Sequence, residues 1–309
     1  MARVIPADDE GIHLAVEALK RGELIGLPTE TVYGLAADAT NPDAVRQIYA
    51  VKGRPEHHPL IVHVASADDL FTLARDVPTY AGELARRIWP GPLTLIVNAN
   101  QTVSRLVTGG RDTVAVRCPA HPVAHRVIEL LGRPVAAPSA NRFGHVSPTS
   151  ARHVVDDLGA KIDIVLDGGE CDLGLESTIV DCTGDVLEVL RPGAVTLEDL
   201  REVLDDVNSA LRHAVSDGTS GESRAPGMLA SHYAPRARLI LHEVGESFEP
   251  GSIPVLDFSL HPAEAARTLY ARLRALDSNK VTEAHIILPR PVGIGVAVRD
   301  RLTKAAVRR

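Results

Sequence analysis

The sequence predicts an α+β fold, with a large mixed-sheet unit followed by a linker and a smaller α/β unit. Three observations lead there. Strand-like and helix-like segments are interleaved through the first two thirds of the chain without the strict strand–helix–strand rhythm of a doubly wound sheet. From Asp205 to about Arg224 the periodicity fails, and Asp217-Gly218-Thr219-Ser220-Gly221-Glu222-Ser223 has the small, polar composition of a linker. Strand and helix patterns then resume over a shorter stretch. The expected organisation is a first domain over 1–205, a linker over 206–236 and a small α/β domain over 237–309.

The elements can be read from local pattern. Ile12, Ala15, Val16 and Leu19 recur at helical spacing, with Gly22 placed to cap the end. Leu24 to Leu27 reads as a short buried strand. Asn41-Pro42 opens a second helix, with Asn as cap and Pro in the first turn, and Gly53 ends it. Leu60 to Val64 is the next strand, and Ser66 with Asp69 caps the helix after it. Strands are predicted at 93–97, 113–117, 164–166, 178–181 and 186–190, with helices at 122–131, 150–158 and 196–204. In the last unit, 239–244, 255–258 and 286–288 read as strands, and 263–276 and the C-terminus as helices.

At 309 residues the chain is long enough for two domains, and its hydrophobic and charged fractions, 45% and 24%, are those of an ordinary globular protein. A net charge of -7 argues against a general nucleic-acid or membrane-surface binder. Cys118, Cys171 and Cys182 have no CxxC spacing, so neither a disulfide framework nor a zinc site is expected and a cytoplasmic location fits. Met1 to Pro6 leads straight into Asp8-Asp9-Glu10, unlike a signal peptide, and no apolar run is long enough to span a bilayer.

Four segments carry more polar and special-backbone residues than folding needs. The first is Pro28-Thr29-Glu30-Thr31-Val32-Tyr33-Gly34-Leu35, directly after a strand. The second, Lys52-Gly53-Arg54-Pro55, places a lysine in a chain whose cations are otherwise mostly arginine. Alone it reads first as a helix end whose cations complement the dipole; two donors leaving a helix end also suit a polyphosphate or carboxylate. It runs on through His57-His58 to His63, a histidine inside an apolar strand that by itself reads as a core or edge residue. The third is Pro138-Ser139-Ala140-Asn141 with Ser147 downstream, suited to phosphate or ribose oxygens and equally to an Asx turn. The fourth is Glu176-Ser177-Thr178-Ile179-Val180-Asp181, followed by Arg191, which leaves its strand before Pro192-Gly193 as Arg117 does before Cys118-Pro119. No Walker loop, complete dinucleotide fingerprint or Gly-x-Ser-x-Gly elbow is present.

Taken in order, these four segments resemble the YrdC-like family. Ala225-Pro226-Gly227-Met228, Ser231-His232-Tyr233-Ala234-Pro235 and the closing Gly293 to Leu302 resemble its long, two-domain members that make threonylcarbamoyl-AMP, so the likeness covers essentially the whole chain. The resemblance implies a mixed twisted sheet, a linker over the active site and a smaller Rossmann-like domain. It implies a nucleotidyltransferase that forms threonylcarbamoyl-adenylate and pyrophosphate from L-threonine, bicarbonate or CO2, and ATP. The product then serves a separate tRNA threonylcarbamoyl transferase, and stable direct tRNA binding is not expected. By the same resemblance Thr31, His63, Arg117 and Ser177 hold threonine. Arg54, His58, Thr113, Ser139, Ser147, Arg191 and Tyr233 contact ATP, and Lys52, Arg54, Ser139 and Asn141 form the catalytic Lys-x-Arg and Ser-x-Asn signatures. Mg2+ is expected through the ATP phosphates with no dedicated protein ligands, and no general base is nominated.

His58 stands where the family usually has Asn, which predicts a group titrating near neutrality. The last unit is shorter than in long family members, with a strand–helix portion missing after Val244. Two alternatives compete. An RNA-binding module of the same fold has no need of Lys52, Ser139, Asn141 and Tyr233 together. A carbamoyl-transfer enzyme of the hydrogenase-maturation type requires accessory modules for which this chain has neither cysteines nor length.

Overall fold

The computed structural model describes residues 2–205, 210–213, 224–228 and 232–307. Elements run β1 (Arg3–Pro6), α1 (Asp9–Lys20), β2 (Ile25–Leu27), β3 (Gly34–Asp38), α2 (Pro42–Lys52), β4 (Ile61–His63), α3 (Leu70–Leu73), α4 (Thr79–Ile88) and β5 (Leu93–Asn98). They continue with β6 (Thr113–Arg117), α5 (Pro122–Leu131), β7 (Val135–Ala136), α6 (Ala151–Leu158), β8 (Ile164–Asp167), β9 (Thr178–Asp181), β10 (Val186–Arg191), α7 (Leu197–Asp205) and β11 (Ala210–His213). The C-terminal portion adds β12 (Arg238–His242), β13 (Val255–Asp257), α8 (Pro262–Ser278), β14 (Glu283–Ile287) and α9 (Gly295–Ala306).

The first eleven strands form one mixed sheet in the order β1-β8-β2-β3-β7-β4-β6-β5-β9-β10-β11. Parallel pairs such as β4 with β6 alternate with antiparallel ones such as β5 with β6, which is the mixed architecture the sequence predicts. One core packs α2, α4, α6 and α7 against the sheet, and a second packs α1 and α5 on it. The C-terminal strands form a separate parallel sheet, β12-β14-β13, sharing one core with α8 and α9, which also pack on each other. Its core does not stop at the sheet: Val32, Val146, Leu175 and Tyr233 are buried with Leu269, Tyr270 and Val298. The linker stretch Asp217–Ser223 lies outside the described residues, as does Ser231. Among the described residues no helix is long and apolar enough to cross a membrane.

Two local devices aim the site. The Asn41 side chain accepts from the backbone N–H of Asp43 and Ala44, Pro42 occupies the first turn, and Gly53 closes α2 at φ 64. That left-handed residue sends the chain away from the helix while Lys52, one residue earlier, stays buried on it. After β2, Thr29 Oγ1 accepts from the N–H of Val32 (3.3 Å) and donates to its carbonyl (2.6 Å), folding the segment into a turn. Tyr33 and Leu35 then bond the backbone of Pro148 and Pro138. Gly34 fits closely there: a Cβ would sit 3.0 Å from that of Ala137, which would have to shift by a few tenths of an ångström.

Candidate active site

The loop after β2, the ends of β4, β6 and β10, the segment after β7 and Pro226, Gly227, His232 and Tyr233 converge on one cleft. Its walls bound ≈ 570 Å³ with the open mouth counted in. Thr31, His63, Arg117 and Ser177 lie on its wall, as do Arg54, Ser139, Arg191 and Tyr233.

Arg117 is compensated. Its Nη1 donates to Thr31 Oγ1 (2.8 Å), its Nε donates to the Gly91 carbonyl (3.3 Å), and Nη2 lies 2.7 Å from Glu30 Oε1 in a buried ion pair. The Nη2–Glu30 contact is close but not aligned as a hydrogen bond, so that edge of the guanidinium keeps donors to spare. Burial alone would raise the Glu30 carboxyl; Arg117 outweighs it and holds it below the usual range. His63 is pushed down to about 3 by burial and by Arg117, so its ring is neutral at physiological pH, and its Nδ1 has no hydrogen-bond partner among the described residues. Ser177 Oγ is 2.7 Å from Thr94 Oγ1.

Arg54 and Arg191 differ from Arg117. Arg54 donates to the carbonyls of His58 (3.3 Å) and Pro59 (2.8 Å), and its guanidinium faces the Phe143 ring at 5.5 Å. Arg191 donates to the carbonyls of Ser177 (2.9 Å) and Pro226 (3.0 Å) and to Ser177 Oγ (3.1 Å). Both are buried, and among the described residues neither has a carboxylate in ion-pair contact. Burial lowers Arg54 to about 10, still charged at neutral pH.

The remaining expected residues stand behind the wall. Lys52 Nζ donates to the carbonyls of Ser139 (2.5 Å) and Asn141 (2.7 Å), joining the two signature segments through backbone. Burial and then Arg54 push its ammonium well below the ordinary lysine value. Asn141 Nδ2 braces its own loop on the carbonyls of Arg142 and His145. Ser147 Oγ donates to Glu176 Oε1 (2.6 Å). Thr113 is half-buried at the start of β6, away from the lining. His58 packs edge-on against Phe143 and is held at about 4 by burial and by Arg54. The expectation that His58 titrates near neutrality is thereby corrected: a buried imidazole beside a guanidinium stays neutral.

Sequence reasoning left out Glu176, Tyr270 and Arg301 as site residues. Glu176 lines the cleft, while Tyr270 and Arg301 reach it from α8 and α9. For Arg301 a signal existed: it shares a helix face with Val298, Leu302 and Ala305, and a charge in an apolar stripe must be paired. Tyr233 is held at φ 62, an uncommon value for a non-glycine residue and one that concentrates at functional positions. Among the described residues no cluster of three His, Cys, Asp or Glu side chains is placed to hold a metal ion.

Against known proteins, the family model for Sua5, YciO and YrdC, described as "Telomere recombination", matches residues 17–193. The chain belongs to the YrdC-like family. A second model, "Threonylcarbamoyl-AMP synthase, C-terminal domain", matches residues 195–307. The threonylcarbamoyl-AMP synthase of Pyrococcus abyssi (strain GE5 / Orsay) is 41% identical, with 96% of this chain and 94% of the relative covered. That of Bacillus subtilis (strain 168) is 38% identical, covering 98% and 94%. The crystal structure of P. abyssi Sua5 complexed with L-threonine superposes with a TM-score of 0.88 at 39% identity, over 96% of this chain and 94% of that one. Membership of the family makes this chain an enzyme of the nucleotidyltransferase type, with the mixed-sheet fold of its relatives.

Proposed function

We propose that the protein forms threonylcarbamoyl-adenylate from L-threonine, bicarbonate or CO2, and ATP. The observation that carries this reading is the pair Arg54 and Arg191, two buried guanidiniums on one cleft whose partners are neutral oxygens. Buried charge without countercharge is costly, and a polyanion entering the cleft relieves it. Across the cleft, Thr31, His63, Arg117 and Ser177 offer hydroxyls, a neutral imidazole and a guanidinium edge, a set that suits a small hydroxy amino acid. The relative solved in complex with L-threonine supports threonine as a substrate.

In the proposed reaction the free amine of threonine bonds to the carbon of CO2, one C=O π bond opens onto oxygen and the nitrogen gives up a proton to water, leaving a carbamate. A carbamate oxygen attacks the α-phosphorus of ATP, and the bond to the β-phosphate oxygen breaks, releasing pyrophosphate. The chain's part is positioning and charge neutralisation. Arg54 and Arg191 meet phosphate charge; Arg117 meets the threonine carboxylate, with Glu30 fixing its orientation. Lys52 and Asn141 hold the Ser139 segment in place. The cations on the cleft suit phosphates rather than a bare metal, and Glu176 is already occupied by three donors. Mg2+ is therefore assigned to the ATP phosphates, supplying further charge neutralisation when bound. The product is passed to a separate transferase acting on tRNA.

The test is pyrophosphate release from ATP with threonine and bicarbonate omitted in turn. Release dependent on both is expected; release indifferent to threonine overturns the proposal.

A further inference from the structure

The Glu176 carboxylate, 7% exposed on the cleft wall, is bound from two directions. Oε1 accepts from Ser147 Oγ, whereas Oε2 accepts from Tyr270 Oη on α8 (2.6 Å) and from Arg301 Nε on α9 (2.8 Å). Arg301 is fully buried; its Nη1 lies 2.5 Å from Asp300 Oδ2, and its guanidinium stands 5.3 Å from the Tyr233 ring centroid. One turn on, Lys304 Nζ donates to the Gly227 carbonyl (2.8 Å), and its own carbonyl accepts from the His232 N–H. The last helix of the chain thus touches the cleft through Glu176 and through the segment that carries Gly227 and Tyr233.

A buried carboxylate on the same wall as two unpaired guanidiniums is a competitor for the anion they would bind. Glu176 interacts electrostatically with Arg191, yet it makes no ion pair with it. Its pairing is spent on Arg301 instead. Burial would raise the Glu176 carboxyl, but Arg301 and then Arg191 outweigh it and hold the acid at about 2, so the charge is always present near neutral pH.

We infer that Arg301 is a positioning residue of the nucleotide subsite: by taking the charge of Glu176 it leaves Arg191 free for phosphate, and it supports the Tyr233 ring. The C-terminal unit then contributes to the site by charge. This rests on the reaction proposed above, in which Arg191 and Tyr233 face ATP. Removing the Arg301 charge releases Glu176 to pair with Arg191, which weakens ATP binding and leaves the threonine side alone.

Calorimetric dissociation constants of the full chain for ATP and for threonine test it. Arg301→Met is expected to weaken ATP binding by about tenfold, the scale of one charge-assisted hydrogen bond, with threonine binding changed less than about twofold. Adding Glu176→Gln to that variant is expected to recover most of the lost ATP affinity, because the freed carboxylate is gone; a merely structural role for Arg301 predicts no recovery. Should Arg301→Met not fold, Arg301→Gln takes its place under the same outcomes. Wild-type ATP affinity in either variant, or a double variant no better than the single, overturns the inference alone. A wild-type protein that binds no ATP overturns the functional proposal with it.

Discussion

The ammonium of Lys52 and the carbonyl of Ser139 are 2.5 Å apart, so the helix that ends in the Lys-x-Arg signature is tied directly to the Ser-x-Asn segment. The second carbonyl on Lys52, from Asn141, comes from the same turn. Lys52 is best placed to hold this junction. Lys52→Met takes the donor from the Asn141 carbonyl and leaves the Ser139 carbonyl only the Asn141 N–H; it is expected to destabilise the protein by about 1–3 kcal/mol while lowering adenylation by orders of magnitude. Urea denaturation beside a rate assay checks it. Full stability with lost rate points instead to a direct charge role for the ammonium.

The Glu30–Arg117 pair gives a second test. Both groups are buried at 2.7 Å, and removing one charge of such a pair costs about 3 kcal/mol. Glu30→Gln should lower stability on that scale and raise KM for threonine, with KM for ATP little changed. An equal rise in both KM values contradicts the division of the cleft into two sides.

Gly227 adopts φ +80, and a Cβ there would overlap Tyr233 Oη and lie 3.1 Å from Arg191 Cδ. Gly227→Ala adds left-handed backbone strain of about 1 kcal/mol and displaces two proposed ATP contacts at once. A raised KM for ATP with a small loss of melting temperature is expected. An unchanged KM removes Tyr233 from the nucleotide side.

Acid should destabilise the fold before its buried carboxylates protonate. His58, His63 and His232 are all lowered, by burial first, and so stay neutral in the folded protein where the unfolded chain gains protons. A folded value below the unfolded one means that stability is intact above about pH 6.5 and falls as pH drops below it. For His63 the loss continues towards its folded value of about 3, with a slope of up to about 1.4 kcal/mol per pH unit. Urea midpoints between about pH 7 and pH 5 measure it. His63→Gln should flatten the dependence; a slope the same in both proteins contradicts the assignment.

Much of the fold was legible because its signals are local. Asn41-Pro42 and Gly53 mark both ends of α2, and Ser66 and Asp69 cap each other as expected. Five elements, β1, β3, β7, β11 and α4, gave little signal. β1 is a largely exposed edge strand whose partner, β8, lies far along the chain. α4 begins after Pro78 with no side-chain cap. In the site the contrast is similar. Thr31, His63, Arg117, Ser177, Arg54, Ser139, Arg191 and Tyr233 meet on one cleft; the polar segments holding Thr31, Arg54, Ser139 and Ser177 stand out by themselves, whereas His63, Arg117, Arg191 and Tyr233 are placed by the resemblance. With which carboxylate an arginine pairs is invisible in sequence, because it depends on contacts such as Arg117 to Glu30 and Arg301 to Glu176, the latter 125 residues apart.

The central claim, that threonine, bicarbonate and ATP are joined on this cleft, is tested most directly with radiolabelled bicarbonate. The protein is incubated with label, threonine and ATP, and the products are separated and identified by mass. Label in an adduct containing both threonine and AMP, formed only with all three substrates and matched by pyrophosphate, is the predicted result. Pyrophosphate without labelled adduct, or label incorporated without threonine, would contradict it.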